Sequence, residues 1–255
     1  RRPFGSCVTP AAAGSSRITW IRKMNISRRL NRLAELVTEG SRLADVGTDH
    51  GYVPLCLCRE KKIPSAIAMD INKGPLERAK SHIAEAGLTA YIETRFSDGL
   101  HELKRGEADT VLIAGMGGAL MVRILSEGTE ALKEVRELVL QPQSEIGDVR
   151  RWLGSHGWHI IKEDILLDEG KYYPMFKAVP GEAEDYTKAE YRFGKLEMQE
   201  SPEVLADFLR KRLEVNRQIA AGLPENGEER IAARRAEVAA EIRLLTEVLQ
   251  GIENL

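Results

Sequence analysis

Apolar residues recur at two spacings along this chain, and the switch between them predicts the elements. Leu30, Leu33, Ala34 and Val37 lie at helical spacing behind Ser27, a capping residue, and the pattern stops at Gly40. Short apolar runs follow, as expected of strands buried on both faces: Leu43–Val46, Ala66–Asp70, Tyr91–Arg95, Thr110–Ala114 and Leu138–Leu140. Helical stretches separate them. They are Val53–Arg59, a run from Pro75 to Gly87, one through Leu120, Ile124 and Leu125, and one that Ser144 opens and Gly157 ends. Two longer runs, Trp158–Leu167 and Tyr172–Val179, read as an antiparallel pair joined near Glu169 and Gly170. This alternation predicts an α/β, Rossmann-like domain over residues 24–180, its mostly parallel sheet covered by helices on both faces.

The pattern changes after Gly181. Ser201-Pro202-Glu203 opens a helix whose Leu205, Leu209, Leu213, Ala220 and Leu223 share a stripe, and Gly222–Gly227 is a turn. Ile231, Val238, Ile242, Leu245, Leu249 and Ile252 then alternate at three and four residues, with Arg235 in the one polar gap. Residues 181–255 are therefore expected to form a C-terminal helical coiled-coil hairpin; two ordinary helices packed on the main domain are the alternative. Residues 1–23 show no periodicity and are expected to be vector-derived or unstructured, with Met24 beginning the patterned chain.

Composition narrows the class. Of 255 residues, 43% are hydrophobic and 30% charged, the balance of a soluble globular protein. No apolar run approaches the roughly 18 residues of a membrane helix. Cys7, Cys56 and Cys58 are odd in number and lack metal-ligand spacing, so free thiols, no metal and a cytoplasmic location are expected. Charge is uneven: residues 1–42 carry +7 and the rest of the chain −9. A basic end on an acidic body is either a handle for a polyanion or a solvated face.

Candidate chemistry gathers at predicted strand ends, where α/β sheets bind ligands. Asp45-Val-Gly47-Thr-Asp49-His50-Gly51 follows the first strand. A dinucleotide turn there would read G-x-G-x-x-G and cradle a pyrophosphate. Two carboxylates instead suit a ligand with an amino group and a sulfonium. Asp70, with Ile71 beside it, ends the second strand, where an acid accepts from both hydroxyls of a ribose. That acid serves a nicotinamide cofactor equally well. Ser97-Asp98-Gly99 follows the third strand, where Asp98 can accept from an adenine amino group. Gly115-Met116-Gly117 follows the fourth and leaves room for a flat substrate.

On these blocks the sequence resembles the bacterial tRNA (adenine-22-N1)-methyltransferases of the TrmK type. The resemblance rests on Ser27–Leu30, Asp45–Pro54, Asp70–Pro75, Ser97–Leu100, Ile113–Gly118 and Leu138–Pro142, and covers the chain from Met24. It implies a class I methyltransferase domain, S-adenosylmethionine as cofactor, and methyl transfer to tRNA with the C-terminal coiled coil helping to hold the RNA. Asp49 stands where methyltransferases in general have a motif glycine, which sets this turn apart from small-molecule enzymes. On this reading Asp45, Gly47, Asp49, Gly51, Asp70, Ile71, Ser97, Asp98, Gly99 and Gly115 hold the cofactor. Arg28, Arg29, Arg32, Met116 and Gly117 meet the RNA. Asp49 is the first candidate to stabilise the positive charge that methylation leaves on the base, and His50 the second; a structural turn histidine is the alternative for His50. A monomer is expected, with the coiled coil as a route to a dimer. Another nucleic-acid or small-molecule methyltransferase, an NAD-type oxidoreductase and a non-catalytic RNA-binding protein are the competing classes.

Overall fold

The structure, a computed structural model, describes residues 26–182, 185–195, 199–224 and 229–254. The expectation for residues 1–23 lies outside them. In chain order the first elements are α1 (Arg28–Leu36), β1 (Leu43–Val46), α2 (Tyr52–Arg59), β2 (Ala66–Asp70), α3 (Lys73–Glu85), β3 (Ile92–Phe96), β4 (Thr110–Met116), α4 (Gly118–Glu127) and α5 (Thr129–Leu132). Then come β5 (Glu137–Pro142), α6 (Ile146–Ser155), β6 (Trp158–Asp168), β7 (Lys171–Pro180), α7 (Lys188–Phe193), α8 (Pro202–Gly222) and α9 (Glu229–Glu253). The seven strands form one sheet in the order β3-β2-β1-β4-β5-β7-β6. The first five are parallel, and β7 runs antiparallel to both β5 and β6.

The period of two in the strands divides the core between the faces of the sheet. Ala44, Val46, Val111, Ile113, Leu138 and Leu140 meet Met121, Leu125, Val149 and Trp152 of α4 and α6. Leu43, Ala66, Ala68, Leu112 and Val139 meet Leu33, Leu55 and Ile83 of α1–α3. Cys56 and Cys58 are buried in α2, where burial pushes the Cys58 thiol up to about 11; they act as core residues. Trp152 and Trp158 are likewise core.

Several expected boundaries move. α6 starts at Ile146, and Ser144 does not cap it: the residue before the helix is Glu145, in left-handed backbone with φ 43°. Strand β4 continues two residues beyond Ala114, through a bulge. The short helix α7 was not expected, although Thr187 and Glu190 form a reciprocal cap at its start. It lies against α6, where Arg150 Nη1 donates to the Tyr191 carbonyl at 3.0 Å.

The tail is a helical pair whose base packs on the sheet. Leu205, Leu209 and Leu213 of α8 and Leu245 and Val248 of α9 are buried together with Ile165 of β6 and Phe193 of α7. Farther out the stripe opens: Ala220 is exposed and Ile231 half-buried. The helices thus share features of both sequence expectations, pairing with each other and gripping the main domain at their root.

Candidate active site

The carboxyl edge of the sheet gathers the predicted residues. After β1 the chain turns at Gly47, whose N–H and that of Thr48 both donate to the Met69 carbonyl of β2, at 2.8 and 2.9 Å. Gly47 has φ 77°, and a Cβ there would lie 2.1 Å from the Met116 methyl carbon. The left-handed backbone favours glycine, and a Cβ would have to push the Met116 tip aside. Gly51 begins α2 against Ala79 of α3.

Two acids face this turn from adjacent strands, and both are buried. Burial pushes the Asp45 carboxyl up to about 6, against a pull from the Thr48 hydroxyl, and the nearby charge of Asp70 adds to the rise. Asp70 Oδ1 accepts from the Asn72 N–H at 2.6 Å. No Lys or Arg among the described residues pairs with either acid. Buried carboxylates without a cation are costly, and such perturbed groups cluster at ligand sites. They favour a cationic ligand and oppose a pyrophosphate, which argues against an NAD-type site. Ile71 beside them is 48% exposed, an apolar surface at the same edge.

The third strand end is more self-contained. Ser97 is buried, its hydroxyl donating to the Gly99 carbonyl at 2.9 Å and accepting from the Glu102 N–H at 3.2 Å. Ser97 therefore shapes its turn. Gly99 lies against Ile124 of α4, and Asp98 pairs with Arg123 at 3.2 Å.

Asp49 and His50 stand at the outer lip. Asp49 is mostly exposed, one oxygen held by Arg78 of α3 at 2.5 Å and the other 3.3 Å from His50 Nε2. His50 lies in a three-ring cluster with Tyr52 and His82, 5.0 and 5.4 Å away, and those two rings are 5.7 Å apart. Its Nδ1 is buried without a hydrogen-bond partner, and its carbonyl contacts His82 Nδ1 at 3.2 Å. Arg78 is a residue the sequence gives no reason to single out, because it lies 29 positions away on another helix.

Across the edge, β4 and β5 build a different surface. The β4–β5 register shifts between Ala114 and Met116, so Gly115 is a bulge residue, with φ 78°. Its N–H donates to Gln141 Oε1 at 3.1 Å, and the same oxygen accepts from Arg29 Nη1 at 2.9 Å. The Met116 side chain leans over Gly47, and Gly117 starts α4 beside Ser144.

Three arginines in the first turns of α1 meet three environments. Arg29 reaches the bulge, its guanidinium 5.4 Å from the Tyr173 ring centroid and its N–H bonded to Asp168. Arg32 is taken up by the carboxylates of Asp164, Glu35 and Glu200 and fastens α1 to β6. Arg28 is exposed and has no ion pair among the described residues. The structure thus brings Arg29 alone of the three to the strand ends.

A separate cleft of about 480 Å³ lies between the β5–α6 connection, β6 and α8. Its guanidinium groups are largely neutralised, as in Arg150–Glu163 at 2.6 Å and Arg192–Glu241 at 2.5 Å. Among the described residues no cluster of His, Cys, Asp and Glu is arranged to hold a metal, and no helix is long and apolar enough to cross a membrane.

Comparison with known proteins shows the family. Residues 26–176 match the family model described as a methyltransferase domain. The tRNA (adenine(22)-N(1))-methyltransferase of Bacillus subtilis is 39% identical over 160 residues, 63% of this chain and 67% of that protein. The crystal structure of the B. subtilis M1A22 tRNA methyltransferase TrmK superposes with a TM-score of 0.78 at 30% identity, covering 89% of this chain and 99% of that one. Sp1610 of Streptococcus pneumoniae in complex with S-adenosyl-L-methionine superposes at 0.77 with 34% identity, covering 88% and 99%. Matched over 67% of the B. subtilis enzyme in sequence and over 99% of both solved structures in fold, the chain belongs to the TrmK-type tRNA (adenine(22)-N(1))-methyltransferase family.

Proposed function

We propose that this chain transfers a methyl group from S-adenosyl-L-methionine to N1 of adenine 22 in tRNA, the reaction named for its B. subtilis relative. The observation that carries the reading is the pair of buried acids, Asp45 and Asp70, facing the turn at Gly47 without a cation. When bound, S-adenosyl-L-methionine supplies an electrophilic methyl group on a sulfonium that is its own leaving group. The protein's task is then chiefly orientation. Asp70 suits the ribose hydroxyls, Asp45 the ammonium, and Ile71 one face of the adenine. Asp98, already shared with Arg123, is left a lesser part in reading the adenine amino group.

Adenine N1 is masked when the base is paired, so the base must be unstacked at a cost of a few kcal/mol. Gly115, Met116 and Gly117 are the proposed floor for it. N1 methylation leaves the base cationic until its N6 loses a proton. Asp49, on the turn that carries Gly47, is the candidate to stabilise that charge. The Arg78 contact holds the Asp49 carboxylate in place at the lip, where its charge faces the base rather than a proton. His50, packed against both Tyr52 and His82, supports the turn.

RNA affinity comes from cations that the fold leaves without a carboxylate partner. Arg28 and Arg29 on α1 and Arg217, Arg230 and Arg243 on the hairpin have no ion pair among the described residues. Arginines of this kind bind phosphates and make affinity fall steeply with salt. A tRNA substrate supports a cytoplasmic location. Incubation with methyl-labelled cofactor and unmodified tRNA tests the reading directly. The label is expected in 1-methyladenosine; label in another nucleoside, or none, would overturn it.

A further inference from the structure

Gln141 is a fully buried polar residue at the end of an apolar strand, and the chemistry above does not use it. Its surroundings explain why an amide stands there. β4 and β5 are in register up to the pair Ala114–Gln141, and the next pair is Met116–Pro142. The extra residue, Gly115, is thrown out of the ladder, so its N–H has no main-chain partner on the facing strand. Gln141 Oε1 accepts from it at 3.1 Å. The same oxygen takes Arg29 Nη1 at 2.9 Å, while Gln141 Nε2 donates to the Pro142 carbonyl at 3.2 Å and fixes which end of the amide faces the bulge.

One oxygen therefore joins two parts that come from different regions of the chain. One is the bulge that carries Gly115 and Met116, the proposed floor for the base. The other is the guanidinium of Arg29, which a Cβ on Gly115 would approach to 3.6 Å. Arg29 belongs to α1, anchored elsewhere by Arg32 on Asp164 and by the Arg29 N–H on Asp168. Without Gln141 the bulge and the arginine have no shared reference point.

Resting on the methyltransferase reading, we infer that Gln141 is a positioning residue for methyl transfer. Its carboxamide oxygen sets the β4 bulge and Arg29 relative to each other. It does not touch the reacting atoms, so it acts through Gly115 and Arg29. Small misplacements of a floor of this kind cost as much as ~100-fold in rate.

The test compares Gln141→Met, which keeps the volume and removes the acceptor, with Gln141→Glu, which keeps an oxygen for both donors. In the full chain, Gln141→Met is expected to lower kcat by ~20-fold or more. Its affinity for S-adenosyl-L-methionine and its KM for tRNA are expected to stay within ~3-fold of wild type, because Asp45, Asp70 and Arg28 are untouched. Gln141→Glu is expected to recover kcat to within ~3-fold of wild type. Adding Arg29→Met to Gln141→Met is expected to lower kcat less than Arg29→Met does in the wild type, since the two share one contact. Wild-type kcat in Gln141→Met, equal loss in Gln141→Met and Gln141→Glu, or full additivity with Arg29→Met would overturn the inference. If Gln141→Met does not fold, Arg29→Met alone must lower kcat, and an unchanged kcat there overturns it as well. Failure of the wild type itself to methylate tRNA would instead strike the proposed function.

Discussion

Two buried acids in the same sheet have opposite surroundings. Glu137, at the start of β5, accepts from the Thr38 N–H and hydroxyl, from the Thr110 hydroxyl at 2.8 Å and from Lys177 at 2.7 Å. Burial alone would raise its carboxyl, but Lys177, Thr38 and Thr110 outweigh it and hold Glu137 below the ordinary range. Asp45, near the carboxyl end of β1, is as well buried, pairs with no cation, and is pushed up to about 6. A polar group that serves the fold has its partners within the fold. One that serves a ligand is left short of them, and the sheet bears the cost at the edge where the ligand arrives.

The sharpest break in that comparison is to neutralise each acid in turn. Glu137→Gln leaves the half-buried Lys177 without its counter-charge and is expected to cost ~3–5 kcal/mol in urea unfolding. Cofactor affinity of the folded fraction should not change. Because Glu137 is lowered in the folded state, its contribution is present above the ordinary carboxylate range and lost as pH falls. Asp70→Ala removes two ribose hydrogen bonds, each ~1.5–3 kcal/mol to a charged acceptor, so calorimetry is expected to show at least ~100-fold weaker cofactor binding. Unchanged affinity with an intact fold would end the ribose assignment.

Asp45→Asn is expected to do the reverse of Glu137→Gln. The folded carboxyl is raised, so its ionisation opposes folding as pH climbs from the ordinary range to about 6. Removing it should therefore raise stability at pH 7.5, by ~1–3 kcal/mol, while weakening cofactor binding. In the wild type, cofactor affinity should decline below pH about 6, by up to ~10-fold per unit, and this dependence should vanish in Asp45→Asn. The smallest effect concerns the lip. Asp49→Asn is expected to slow single-turnover methylation by ~10-fold, about 1.4 kcal/mol, with cofactor affinity little changed. A normal rate would return Asp49 to holding Arg78.

The sheet was legible because strands buried on both faces read as continuous apolar runs, and Asp45, Gly47 and Asp70 were legible because they interrupt such runs at their ends. The rest depends on contacts between distant segments. Arg28, Arg29 and Arg32 look equivalent in the sequence, yet Asp164 and Glu200 claim one, Gln141 claims another, and Arg28 alone is left to solvent. Arg78 shows no pattern of its own and matters through Asp49. Gln141 stands one residue past the strand expected at Leu138–Leu140, and only the bulge opposite gives it work. α7 did leave a local signal, the Thr187–Glu190 cap, but its six residues are too few to show a helical period.

The most direct test of the account is single-turnover methylation of two otherwise identical tRNA transcripts, one carrying adenine and the other guanine at position 22. Methyl transfer to the first, with a primer-extension stop at that nucleotide, and none to the second at equal binding, is the expected result. Equal transfer to both, or a stop at another position, would contradict it.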